Sequence, residues 1–380
     1  MAEPSVSVSS FSSNMIRPTR SRDPAFLPMR AAVATSEKTS LDEAVDDAWQ
    51  HLQEKMGSPP TIALIFGSCT LNAAAVAERL RMKQPSLFAI GGSSMRGVLS
   101  SGGHAPFGIM GLDGWASRCG VGHVKGSNIT DASSAREAGI AAAKQATYCQ
   151  VPDLIVMCAA PGWEEHIVSG INHVCPGVRI FGGSAGNDSL VGGAETPPWQ
   201  LHGSLAGWGA TNGGVVILAV WHTEASMVHS VLSHCYGPTS HKGTVTWAEG
   251  RVIFEIDGKP AGNALLEWTG VPLPWVPKVM SQYSLAFGDQ LVDFEGIGER
   301  GELKCFSSAA ADLGSSTAQL VQLKPSSVAE SIRELTVKAK SHVCFDAQAA
   351  LVVVCAGTSC LFSDDDMRKL EVLINELAPE

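Results

Sequence analysis

The chain has 380 residues, of which 45% are hydrophobic and 17% charged, with 39 glycines and a formal charge of −10. That is the composition of a turn-rich globular protein, long enough for two or three parts, and not of a disordered one. The acidic balance and the lack of any Lys/Arg stripe exclude a nucleic-acid footprint, and the longest apolar runs, GGVVILAVW and AALVVVCAG, are too short to span a bilayer as helices.

Residues 1–30 are rich in serine and arginine and carry only Glu3 and Asp23 as acids. This stretch reads as a transit peptide or a disordered tail. A transit peptide implies a plastid location, the cytoplasm being the alternative. Ser40-Leu-Asp-Glu43 then has the form of a capping box. The helix it opens puts Leu41, Val45, Ala48, Leu52 and Met56 on one face, and Gly57 with Pro59 and Pro60 stops it. TIALIFGS (61–68) follows as a buried strand, LNAAAVAERLRMKQ as a helix, and SLFAI as a strand running into the glycine turn of AIGGSSMRG (89–97). About ninety residues later the order repeats: a helix in ASSAREAGIAAAKQATYC, a strand in PDLIVMCA, a helix in EEHIVSGINHV, then VRIF entering IFGGSAGND (180–188). Self-similarity at a fixed period means that one α–β–α–β unit is used twice. Two strands joined through a helix pair in parallel by a right-handed crossover.

Between the copies, GIMGLDGWASRCGVGHVKG (108–126) has the glycine-broken pattern of a hairpin. From 213 to 257 three or four strands follow, ending in a hairpin whose turn is Glu249-Gly250. Pro260 opens a short helix, AGNALLEW, and the proline-rich residues 270–282 make the best domain boundary. A third, partial copy closes the chain: a helix in SSVAESIRELTVKAK, a strand in AALVVVCAG (349–357) and a helix in DDDMRKLEVLINEL.

The two glycine turns carry the chemistry that can be read. Glycine at a strand end permits positive φ, and successive N–H groups there form a nest for an anion. Ligands of parallel sheets bind beyond the carboxyl ends of the strands. Gly91, Gly92, Ser93, Ser94 and Gly97 would form one lip of a pocket, and Gly182, Gly183, Ser184, Gly186, Asn187 and Asp188 the other. The competing reading is a pair of tight turns that only permit close packing. Neither turn has the spacing of a P-loop or a dinucleotide fingerprint, and no GxSxG elbow occurs. Glu164-Glu165-His166 reads as a solvated helix start. Trp163, Trp199 and Trp208, near the second turn, read as core, with the lining of a pocket as the alternative. The ten cysteines form no CxxC pair and read as reduced thiols. No metal or haem site and no other cofactor is expected. His229 and His234, five apart in a strand-like stretch, fall on opposite faces.

In this order of features the chain resembles the FIST family, a sensory module with an N-terminal and a C-terminal part. The most specific match is VTWAEGRVIFEIDGKPA (245–261), with the capped helix, IALIFGS and the two small-residue turns in support. The resemblance implies a FIST N-like ligand-binding domain over 31–269, a linker over 270–282 and an unfinished FIST C-like domain over 283–380. In that domain Cys355 stands in the family's Cys-x-Gly-Arg strand end, and Thr358 replaces the arginine. Such modules are regarded as sensors of small ligands, amino acids being the usual suggestion. Some bacterial members are associated with haem, and eukaryotic relatives joined to an F-box act as ubiquitin-ligase adaptors. No F-box pattern precedes Ser40.

The expectation is an α/β protein of duplicated βαβ units, its mixed sheets flanked by helices, with an antiparallel hairpin region and a smaller C-terminal α/β part. Its function would be non-catalytic binding of an amino-acid-like or anionic metabolite, the site including Cys355, together with a protein partner that reads the binding. A protein-interaction adaptor and an enzyme using Cys69 or Cys355 are the alternatives.

Overall fold

The computed structural model describes residues 30–377 apart from 101–102, 115, 189–195, 223–227, 229–233, 277–279, 289, 308–315, 324–330, 332, 335–336, 339–340, 342–349 and 360–361. The serine-rich tail and His229 thus lie outside the described residues.

The first unit runs β1 (Arg30–Ser36), α1 (Leu41–Met56), β2 (Ile62–Ser68), α2 (Ala73–Lys83), β3 (Phe88–Ser94), a small hairpin of β4 (Val98–Ser100) and β5 (Gly103–Ala105), and β6 (Phe107–Asp113). The second runs β7 (Ala116–Val124), α3 (Ala132–Thr147), β8 (Leu154–Ala159), α4 (Glu164–Val174) and β9 (Arg179–Ser184), then β10 (Trp199–Ser204), β11 (Gly207–Asn212) and β12 (Val215–His222). The repeat predicted from the sequence is present in the topology. One sheet has the order β1-β6-β2-β3-β10-β11 and the other β7-β12-β8-β9. In each, a helix-connected parallel pair (β2 with β3, β8 with β9) is flanked by an antiparallel return strand (β6, β12), and that strand by the unit's first strand (β1, β7). The hairpin expected over 108–126 is not one. After the turn at Gly114 (φ 68°), β6 lies in the first sheet and β7 in the second. A glycine turn reverses the chain but does not dictate which layer receives it.

The layers follow from residue alternation. In β2, Ala63 and Ile65 pack with Val45, Ala48 and Leu52 of α1, while Ile62 and Leu64 face the other sheet. In β12, Ile217 and Ala219 lie under α3 and α4, while Val216, Leu218 and Val220 meet Leu64 and Ile90 across the middle. Strands covered on both faces read as continuous apolar runs, which is why IALIF and VVILAV show no polar alternation. The result is four layers, helix–sheet–sheet–helix. Helix α1 starts where expected, but Ser40 makes no side-chain cap, and Gly57 (φ 74°) ends it as predicted. Helices α3 and α4 approach closely through Gly139 and Gly170. A Cβ at Gly139 would sit 2.1 Å from the Ile167 carbonyl, and one at Gly170 2.1 Å from that of Arg136.

The remaining chain forms a small barrel. Strands β13 (Tyr236–Glu249), β14 (Val252–Ile256) and β15 (Lys259–Pro260) precede α5 (Ala261–Thr269); β16 (Tyr283–Phe287), β17 (Gln290–Ile297), β18 (Leu303–Cys305) and β19 (Thr317–Leu323) follow it. The sheet order β13-β19-β16-β17-β18-β14-β15, with β13 also paired to β14, draws strands from both sides of 270–282. Val276 packs in the same core as Val245, Leu285 and Leu320, so this proline-rich stretch crosses one core and does not divide two. Helix α6 (Asp364–Leu377) matches the last predicted helix. The strand expected at 349–357 does not appear: residues 350–355 are unpaired, and Ala356–Ser359 form a helical turn.

His123 of β7 and His202 of β10 stack face to face where the two sheets meet, with ring centroids 3.5 Å apart and planes 10° from parallel. Burial, with His123 and Lys125 adding to it, lowers the His202 pKa to about 4. Burial and Lys125 lower that of His123 as well. Both rings are therefore neutral in the fold, and the unfolded chain binds protons that the folded one refuses. Stability should be complete above the ordinary histidine pKa near 6.5 and fall as pH drops from there towards about 4. The expected loss is about 2 kcal/mol, read by urea unfolding across that range, and His202→Asn should flatten the slope.

Gly170→Ala should lower the unfolding free energy by roughly 1–3 kcal/mol, the usual cost of overpacking, as measured by chemical denaturation.

Candidate functional site

The parallel pairs β2/β3 and β8/β9 end at Ser68 and Ser94 and at Ala159 and Ser184, and these carboxyl ends lie together. A Cβ on Gly92 would fall 2.2 Å from the Cys158 Sγ and 3.4 Å from the Ala185 Cβ. The Gly186 N–H donates to the Ser93 carbonyl at 2.7 Å, and the Ala185 N–H to that of Ala159 at 2.7 Å. One carboxylate oxygen of Asp188 accepts the Arg96 N–H at 2.7 Å, and the other faces the Cys69 thiol at 3.5 Å. The two glycine segments, about ninety residues apart, therefore meet.

They do not meet as nests. The glycines lie inside strands: β3 runs through Gly91, Gly92 and Ser93, paired with β2 on one side and β10 on the other. Gly91 and Gly92 lack positive φ, and a side chain at Gly91 would meet the Ile65 carbonyl at 1.8 Å. Gly182 (φ 134°) is its counterpart, 1.9 Å from the Met157 carbonyl. The nest expected at Gly91-Gly92 is corrected on this point: those glycines permit strand-to-strand and sheet-to-sheet contact. Ser93 is 3% exposed, and its hydroxyl accepts the Trp199 N–H at 3.0 Å. Gly97 is buried with φ 91°. Ser94, Gly183, Gly186, Asn187 and Asp188 are half-buried, and Ser184 is exposed. Cys355 is exposed and lies two residues beyond Val353, the side chain nearest to Gly183. Trp199 is buried and Trp208 packs on the same core, as expected of tryptophans that fill space.

Three residues gain importance that the sequence did not give them. Arg96 has φ 60°, a conformation uncommon outside glycine, held by the Asp188 carboxylate. The residue is exposed, and its side chain has no ion pair among the described residues. Glu164 and Glu165, read as a solvated helix start, instead hold Arg251 from the tip of the β13–β14 hairpin. The guanidinium donates to Glu165 at 2.6 and 2.9 Å and to Glu164 at 2.7 Å. Glu164 also accepts the Gly162 N–H at 2.9 Å and the Ser184 hydroxyl. No local pattern announces a pairing across 86 residues. Burial pushes the Glu165 carboxyl up, and Arg251 more than reverses this, leaving it below the ordinary carboxylate range. Burial likewise opposes the Arg251 charge, and the two glutamates outweigh it. Burial raises the Cys69 thiol pKa, with the Asp188 charge adding to it, and pushes Cys158 up to about 12. Neither is a ready thiolate nucleophile.

A duplicated four-layer sandwich whose equivalent turns converge on one point has the build of a binding module. The FIST N domain matches residues 61–259, just over half of the 380 residues, and the chain belongs to the FIST family of sensory domains. No curated protein matches the chain. Among the described residues no helix is long and apolar enough to cross a membrane.

Arg251→Met should cost roughly 3 kcal/mol, because two carboxylates lose their partner at a half-buried site. In Glu165→Gln the same change should cost less, a non-additivity that a double-mutant cycle measures.

Proposed function

We propose that the protein is a non-catalytic sensor of a small anionic ligand, such as an amino acid or organic acid, bound beyond the carboxyl ends of β3 and β9. The observation that carries this reading is the junction itself: the Gly186 N–H on the Ser93 carbonyl, and Asp188 on the Arg96 backbone. These join the corresponding turns of the two units and leave Arg96 as an exposed cation beside them. Arg96 would meet the ligand's carboxylate, since a guanidinium matches it with two parallel hydrogen bonds. Ser94 and Asn187 would supply directional hydrogen bonds from either side. Asp188 and Ser93, already engaged, act as supports for the turn and not as ligand contacts. The raised pKa of Cys69 weighs against a cysteine-dependent enzyme acting there. The serine- and arginine-rich residues 1–30 support a plastid location, which a fluorescent fusion of residues 1–40 tests; retention in the cytosol would count against it.

A thermal-shift screen with amino acids, organic acids and haem should find an anionic ligand that raises the melting temperature, because a ligand preferring the folded state stabilises it. Arg96→Gln should weaken that ligand at least tenfold, equal to about 1.4 kcal/mol, with the ligand-free melting temperature unchanged. Ser94→Ala should weaken it several-fold. If Arg96→Gln binds as tightly as the parent, the site lies elsewhere.

A further inference from the structure

The two units match strand for strand except at one edge. The outer edge of β3 is taken by β10, which pairs with residues 89–92. The corresponding edge of β9, residues 180–183, carries no strand among the described residues. A bare edge offers unpaired N–H and C=O groups to any extended segment within reach. Among the described residues, one strand-like segment lies beside it. Leu351-Val-Val-Val-Cys355 is leucine followed by three β-branched residues, the composition that favours strands, yet it is unpaired, with Val353 52% and Val354 38% exposed. Its placement is specific. Leu351 packs on the inter-sheet core, as Phe181 does, and the Val353 Cγ1 lies 3.6 Å from where a Gly183 Cβ would stand. Val353 thus stands beside Gly183, and a parallel alignment from that point would set Leu351 beside Phe181. The described residues between Ser331 and Ser341 that precede it are helical, and a parallel strand requires such a crossover.

We propose that Leu351–Cys355 docks on the free edge of β9 as a fifth, parallel strand of the second sheet. In that register Cys355 falls beside Ala185, and the helical turn Ala356–Ser359 joins the two glycine segments at the carboxyl end of the sheet. The C-terminal part of the chain then supplies a third wall to the junction of the paired turns. The partial third copy in the sequence thereby acquires a place in the fold.

Amide hydrogen exchange on the full chain tests this, with peptides covering 178–185 as the readout. Docking predicts slow exchange there in the parent. Val353→Pro, which removes an N–H and cannot join a ladder, should speed it at least tenfold while peptides of β8 stay slow, showing that the sheet remains folded. A double variant, Gly183→Cys with Val353→Cys, should form an intrachain disulfide on mild oxidation, located by peptide mass. Three outcomes would overturn the proposal: fast exchange at 178–185 in the parent, exchange unaltered by Val353→Pro, or a cross-link found only between chains. The last would show that a second copy takes the edge.

Discussion

The closeness of the two sheets at their carboxyl ends governs much of the rest of this structure. Gly92 faces Cys158 with no room for a methyl group between them, since a Cβ there would lie 2.2 Å from the sulfur. Two twisted sheets packed this tightly must present apolar side chains inward, and their other faces must be covered by helices. The middle strands β2, β8 and β12 are therefore apolar over most of their length. The same closeness brings Ser93 and Gly186 within hydrogen-bonding distance and lets Asp188 of one half brace Arg96 of the other. The junction is a product of sheet packing and not a surface added to it.

The duplicated halves are not used alike. The first extends its sheet with β10 and β11 and keeps its turn rigid through the Ser93–Trp199 and Asp188–Arg96 contacts. The second is fixed to the barrel by Arg251, which two carboxylates at the start of α4 share. Ser184, at the end of β9, hydrogen-bonds one of those carboxylates. A change at the end of β9 is thus one side chain removed from the barrel, whereas a change at the end of β3 is felt inside the sandwich.

Local signals in the sequence located most elements. Helix α4 and helix α6 begin and end as periodicity and flanking residues indicated, and the parallel pairing followed from helical crossovers. What local signals could not supply was partnership. The stretch 108–126 has the pattern of a hairpin, but its two strands belong to different sheets. Strand β1, a short mixed segment beside the serine-rich tail, gave no signal above its surroundings. Gly91 and Gly92 are recognisable as special, though glycine serves a nest and a close strand contact equally well, and only the approach of Ile65 and Cys158 decides between them. Arg96 sat inside the motif singled out for its glycines. Its meaning depends on Asp188, 92 residues away.

The routing of β10 and β11 has a consequence during synthesis. Residues 30–113 contain a complete four-stranded set, β1-β6-β2-β3, but the hairpin that closes the β3 edge is made only after the whole β7–β9 unit has emerged. With elongation at roughly 5–20 residues per second, that edge stays bare for several seconds on the ribosome. Its own later copy, with the same strand pattern, is the first partner to appear. Gly91 and Gly92 carry no side chains that could block mispairing, so the order of translation leaves β3 open to a wrong neighbour until Trp199–Ser204 takes its place.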